Sequence, residues 1–309
     1  MLRCMRFTPV VAAVLSVLAS RVCVAQPEEG AGIVTMELLA DRTAVADGEK
    51  VTLGVRFKIK PEWHIYWLNP GESGFETKVE WSGMGLDSAQ STIYPAPIKF
   101  VSPGPLTSYG YADEVLLMNE VAVKLPQPPP RELRVSVKAK WLMCADRCIP
   151  GKGDAALTLP VGKSGPANAE LFAKYRALLP QSVGGPDVKI GTTKKDKGFA
   201  TEITVTPPDG MTIAAGDSAK ARGAYFFPLK VGGVELGVPV IPPADGKVMV
   251  DGVEIPVYTK PFTIVMTSEP FDNKNAAILV IEGILVTQPL DRNGVVQKIG
   301  VKRVGSTTP

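Results

Sequence analysis

Apolar and polar residues alternate strictly from Val51 to Lys60, with Val51, Leu53, Val55, Phe57 and Ile59 on one side and Arg56, Lys58 and Lys60 on the other. A period of two predicts a strand with one buried face. Leu133 to Lys140 repeats the pattern, setting Leu133, Val135, Val137 and Ala139 against Arg134, Ser136, Lys138 and Lys140. Weaker versions predict strands at 33–40, 63–68, 77–81, 115–124 and 155–161, and the proline-rich stretch Pro126 to Pro130 between them can only be a loop or an edge. Short strands at this spacing predict an antiparallel β-sandwich. One segment breaks the rhythm. Leu171, Phe172, Tyr175, Leu178 and Leu179 recur at helical spacing within Pro166 to Leu179, and Pro180 with Gly184-Gly185-Pro186 ends the run. After it the pattern returns to strands, at 199–206, 224–227, 248–250, 253–258, 262–267 and 276–286. The expected fold class is therefore all-β. A β-sandwich over 26–163 is followed by a short helical linker, 164–186, and a second β-rich domain, 187–309.

The first 25 residues read differently. Arg3 and Arg6 precede a short apolar run from Val10 to Leu18, and Ala25 offers a small residue for cleavage, which together predict a secretory signal and an exported, periplasmic or secreted protein, with an uncleaved membrane anchor as the alternative. Removing it takes away Arg3, Arg6 and Arg21 and no acid, so Lys+Arg falls from 34 to 31 against 31 Asp+Glu. The mature chain is then formally neutral, and nothing in it argues for a nucleic-acid partner. No later stretch is long and apolar enough to predict a membrane helix. Gly (30) and Pro (28) are abundant, which favours strands and turns over long helices. The single histidine, His64, excludes a site that needs two or more in one chain.

Cys4 and Cys23 leave with the signal, so the mature chain keeps Cys144 and Cys148, in Trp141-Leu-Met-Cys144-Ala-Asp-Arg-Cys148-Ile-Pro150. A lone pair in an oxidising compartment predicts a disulfide. Four residues of straight strand span about 13 Å, whereas a disulfide holds its Cα atoms within roughly 7 Å. A bonded pair therefore requires the chain to leave the strand and turn at once, at the end or rim of a sheet. A five-residue loop gives only about 2 kcal/mol by the chain-entropy argument. Spacing alone leaves a structural staple and a redox switch both open. The Cys-x3-Cys spacing and the absence of a preceding βαβ pattern exclude a thioredoxin fold. Two thiolates with His64 and Met143 would form a soft site for copper(I) or zinc, a third reading.

Glu62-Trp-His-Ile-Tyr-Trp-Leu-Asn-Pro-Gly-Glu-Ser-Gly74 is dense in aromatics. On a strand His64 and Tyr66 share one face and Trp63, Ile65 and Trp67 the other. The plain reading makes the tryptophans core and His64 a hydrogen-bonded rim residue; the functional one has His64 and Tyr66 shielding or tuning the cysteines. Gly71-Glu-Ser-Gly74 is not a nucleophile elbow, because Phe75 stands where the last glycine belongs. A hydrolase built on Ser73 and His64 would crowd both onto neighbouring turns. Tyr109-Gly-Tyr111-Ala-Asp113-Glu114 reads as a turn before a strand.

Taken in order, Trp63-His-x-Tyr66-Trp67-x-Asn-Pro-Gly-x-Ser-Gly74, Trp81, Tyr109-Gly-Tyr111 and Trp141-Leu-x-Cys144-x3-Cys148-x-Pro150 resemble the amino-terminal periplasmic region of DsbD-type thiol–disulfide interchange proteins, in particular the ScsB-like branch associated with copper tolerance. The ordered match covers about 63–150. The resemblance implies an immunoglobulin-like domain whose cysteine pair, Cys144 and Cys148, relays electrons without a cofactor or bound metal. The implied activity is protein-disulfide reduction, the implied partners periplasmic disulfide isomerases and thioredoxin-like proteins of cytochrome c maturation. It also implies that His64 and Tyr66 lie near the pair and that Tyr111, Asp113 and Glu114 lie in a loop covering it. Full-length relatives continue into a membrane domain and a thioredoxin domain. This sequence stops at Pro309, so either a separate membrane electron donor is expected or the relay role has been lost. The competing expectations are a binding or scaffold module with a fixed disulfide, and a copper(I)-binding protein.

Overall fold

In a computed structural model the described residues are 30–83, 91–102, 104–181, 185–229, 234–270, 280–291 and 293–307. The expected signal, 1–25, lies outside them. The first half supplies nine strands: β1 (Val34–Ala40), β2 (Lys50–Ile59), β3 (His64–Gly71), β4 (Lys78–Gly83), β5 (Ile98–Ser102), β6 (Leu106–Ala112), β7 (Glu114–Ala122), β8 (Glu132–Cys144) and β9 (Cys148–Pro160). They form two facing sheets. One has the order β1-β2-β7; the other runs β4-β8-β3-β6-β5, with β9 on the far side of β8. All pairings are antiparallel. The predicted alternation sets this packing. Leu53, Val55 and Phe57 from one sheet and Val135, Val137 and Ala139 from the other are fully or almost fully buried between the two layers. This is the expected immunoglobulin-like all-β sandwich.

Helix α1 (Ala169–Arg176) is shorter than the predicted 166–179. Asn168, at φ 50, is left-handed, and its side-chain amide donates to the Ala40 carbonyl at 2.9 Å rather than continuing a helix. The other end tightens into three-residue steps, with Leu178 N on Tyr175 O and Leu179 N on Arg176 O. Phe172 and Tyr175 bury the inner face of α1 against the first sandwich.

The second half contains β10 (Asp187–Lys194), β11 (Phe199–Thr206), β12 (Met211–Ala214), β13 (Tyr225–Pro228), β14 (Val234–Leu236), β15 (Gly246–Val250), β16 (Val253–Tyr258), β17 (Phe262–Pro270), β18 (Val280–Thr287), β19 (Pro289–Asp291) and β20 (Gly300–Thr307). Of the predicted strand 276–286, residues 276–279 lie outside the description. The sheets here are β10-β11-β17-β14, β15-β16-β12-β19 and β13-β18-β20. In the last, strands β13 and β18 are buried on both faces. Phe226 and Leu285 point into a core with Ile203 and Ile264, while Tyr225, Phe227, Ile284 and Val286 join the core of the first half. Phe227 meets Trp67 edge-on at 6.3 Å, and Asn69 donates to the Pro228 carbonyl at 2.7 Å. Among the described residues no helix is long and apolar enough to cross a membrane.

Candidate redox site

The site is built on one rung of a hairpin. β8 and β9 pair without a register break from Glu132↔Pro160 to Cys144↔Cys148, and Ala145, Asp146 and Arg147 make the turn. The two cysteines are therefore directly opposite each other. Their sulfurs are bonded, with Cα atoms 4.1 Å apart. The sharp exit that the spacing demanded is this three-residue turn, closed by Ala145 N on Arg147 O at 3.1 Å.

Alternation decides which side the sulfurs face. The odd positions of β8, Leu133 through Met143, point into the sandwich, so Cys144 shares the outer face with Lys138, Lys140 and Leu142. Met143 lies on the opposite face, 3% exposed and packed against Gly30 and Ile149. It cannot join Cys144 in a copper site. The described residues contain no cluster of three or more His, Cys, Asp or Glu arranged to hold a metal.

The two sulfurs have unequal surroundings. Cys144 is 2% exposed, whereas Cys148 is exposed. The cover over Cys144 comes from β3. His64 is register-paired with Cys144, so both side chains leave the sheet on one side, and Tyr66 follows two residues on. The Tyr66 hydroxyl donates to Cys144 Sγ at 3.1 Å and lies 4.0 Å from Cys148 Sγ. Burial raises the phenol above its usual range, partly offset by a hydrogen bond from Ser73, so Tyr66 stays a protonated donor. His64 stacks on Phe100 of β5 at 4.3 Å and meets Tyr66 edge-on at 5.1 Å. Burial holds its imidazole below the usual range, and its buried Nε2 has no hydrogen-bond partner among the described residues. That differs from a hydrogen-bonded rim histidine: the neutral ring is packed as an aromatic wall.

Sequence reasoning missed three contributors. Gly74 lies flat on the Tyr66 ring with φ 99, where a Cβ would run into the ring edge. Ser73 holds the phenol, and Phe100 backs His64. The positive-φ glycines of Gly71-Glu-Ser-Gly74 were the available signal. The motif is a cap on a tyrosine, not a nucleophile turn.

The remaining predicted residues lie elsewhere. Tyr111 is inside β6, on the core side opposite Ile65, and its hydroxyl donates to the Pro95 carbonyl at 2.7 Å. Tyr109-Gly110-Tyr111 is thus strand, and the turn falls on Asp113 at φ 60. Glu114 opens β7 and receives Arg56, Lys174 at 3.3 Å and the Tyr175 hydroxyl at 3.2 Å. Burial alone would raise its carboxyl, but Arg56 and Lys174 outweigh it and hold the group below the usual range. The side-chain contacts of Tyr111 and Glu114 thus go to the core and to α1, not to the cysteines.

Known proteins resemble this chain in sequence and in fold. Residues 35–160 match the family described as thiol:disulfide interchange protein DsbD, N-terminal. The N-terminal periplasmic domain of ScsB from Proteus mirabilis superposes with a TM-score of 0.53 at 16% identity, over 89% of this chain and 91% of that one. The shared fold extends past the segment that carries the sequence resemblance and takes in the second half. A conserved domain protein from Bacillus anthracis aligns over 85% of this chain and 83% of that one at 9% identity, with a TM-score of 0.20, too low to carry an argument. No curated protein matches the sequence.

Proposed function

Starting from a DsbD-type N-terminal domain over residues 35–160, we propose that this chain is a periplasmic thiol–disulfide exchange protein that reduces partner disulfides. Its partners are thioredoxin-like or disulfide-isomerase proteins, and a membrane electron donor re-reduces it. The observation that carries the reading is the unequal exposure of the two sulfurs. A fixed staple has no need of one accessible sulfur. A relay does: Cys148 attacks and Cys144 resolves.

In the reduced protein the Cys148 thiolate attacks one sulfur of a partner disulfide, and the partner's other sulfur leaves as a thiolate. The Cys144 thiolate then attacks the Cys148 sulfur, the second partner thiolate leaves, and the Cys144–Cys148 bond re-forms. Two electrons pass to the partner. Tyr66 donates a hydrogen bond to Cys144 and favours its thiolate. The His64–Phe100 wall keeps water and stray thiols from the resolving sulfur. Tyr111, Asp113 and Glu114 have a framework role, holding the β6–β7 turn and α1.

Single-cysteine variants test this. Reduced Cys144→Ser should react rapidly with an aryl disulfide and hold the mixed disulfide, while Cys148→Ser should react at least ten times more slowly. Equal rates remove the assignment. A Cys144–Cys148 potential below about −300 mV would mark a structural bond and remove the relay itself.

A further inference from the structure

The unbroken β8–β9 register fixes what lies beside the redox rung on the same outer face. The rung after Cys144–Cys148 is Leu142–Pro150, the next Lys140–Lys152, and β4 extends that one with Lys78↔Lys140. Rungs on one face are two residues apart, about 7 Å. An apolar step therefore lies about 7 Å from the disulfide and a row of three lysines about 14 Å from it.

Leu142, Pro150, Lys140 and Lys78 floor a groove of about 530 Å³ whose other wall is Leu68, Pro70 and Phe75. Phe75 is 74% exposed, on the loop whose Gly74 caps Tyr66. A large apolar side chain so exposed, on a groove that takes in Pro150 two residues after the accessible Cys148, points to a covered state. The lysine row points the same way. Lys78 and Lys140 stand directly opposite each other and both line the groove, and like charges directly opposite in a sheet are unfavourable.

We propose that this groove is the docking surface for the partner that exchanges with Cys148, and that it selects a segment with an apolar residue two positions, and a carboxylate four positions, from its own cysteine. An extended chain advances at the same rise as the hairpin. With its sulfur bonded to Cys148, its second residue meets Leu142 and Pro150 against Phe75, and its fourth meets the lysines. The inference rests on the exchange function proposed above and adds the chemistry of the partner.

The probes are short peptides carrying cysteine as a mixed disulfide with an aryl thiol: Cys-Gly-Leu-Gly-Glu, its reverse, and versions with Lys for Glu or Ser for Leu. Protein reduced with dithiothreitol and desalted attacks the peptide sulfur. The aryl thiolate leaves and is followed by absorbance, and Cys144 then releases the peptide thiol. At low salt one direction of the Leu/Glu peptide should react about fivefold faster than its Lys version, an advantage that salt screens. Lys140→Glu should invert that preference, and Phe75→Ser should erase the preference for Leu over Ser. Hydroxyethyl disulfide, too small to use the groove, should oxidise all three proteins at one rate. Equal rates for every peptide, with normal oxidation by hydroxyethyl disulfide, would overturn the docking surface and leave the exchange function standing. No oxidation by hydroxyethyl disulfide would overturn both.

Discussion

The Tyr66 hydroxyl lies 3.1 Å from Cys144 Sγ, so the less accessible sulfur has a hydrogen-bond donor waiting for it. A donor stabilises a thiolate more than a disulfide sulfur, and hydrogen bonds to charged groups contribute about 1.5–3 kcal/mol. Tyr66→Phe should make the reduced state less favourable and lower the reduction potential by roughly 30 mV, equivalent to about 1.4 kcal/mol for two electrons. Equilibration against a glutathione series measures it; an unchanged or higher value would separate Tyr66 from the redox chemistry.

His64 should leave its mark on the pH dependence of stability. Its folded imidazole titrates below the ordinary value of 6.5, because burial disfavours the cation. As pH falls past 6.5 the unfolded chain takes up a proton that the folded one refuses, so stability declines, and the decline stops once the folded ring is protonated too. Above 6.5 the term is constant. Urea unfolding of the wild type and His64→Phe should therefore diverge between pH 7.5 and 5.5, with the wild type losing more.

Gly74→Ala combines a left-handed backbone with a collision against the Tyr66 ring. We expect a stability loss of about 1–3 kcal/mol and a fall in reduction potential in the same direction as for Tyr66→Phe. A variant that melts earlier while keeping the wild-type potential would show that the cap does not position the tyrosine.

Glu114 ties β7 to β2 and α1 through Arg56, Lys174 and Tyr175. Glu114→Gln should destabilise the fold by about 1–2 kcal/mol without changing the potential. Since its carboxyl titrates below the usual range, this contribution is complete above the ordinary carboxylate pKa and is lost as pH falls through the lowered one. The gap between wild type and variant should thus narrow as the solution is made more acidic, as thermal melts at pH 7 and at successively lower pH would show.

The sandwich was legible where burial imposed a clean period. Val51–Lys60 and Leu133–Lys140 became β2 and β8 with the predicted faces, and continuing that alternation puts Cys144 on the outer side. The beginning of β9 was hidden by Gly151 and Gly153, which read as turn residues. The Trp141 indole leaves no room for a Cβ at Gly151, and the Met36 sulfur, with the indole edge behind it, crowds the same place at Gly153. β6 was hidden by Gly110, whose missing side chain lets the Ile65 carbonyl approach. The cysteines, His64 and Tyr66 announced themselves by type and spacing. Phe100 did not, since its stacking on His64 depends on a strand 36 positions away whose own pattern is weak.

The three-stranded sheet β13-β18-β20 gives side chains to two cores at once. Cutting the chain after α1 would strip Trp67 and Tyr109 of their aromatic neighbours Phe227 and Tyr225 and leave the Asn69 amide unanswered. The residues that lose their cover belong to β3 and β6, the strands that carry and flank the Tyr66 cap. Heat or denaturant that loosens the distal half would thus reach the sulfurs through a shared wall, so in the reduced protein the accessibility of Cys144 to an alkylating reagent would report on the integrity of the whole chain.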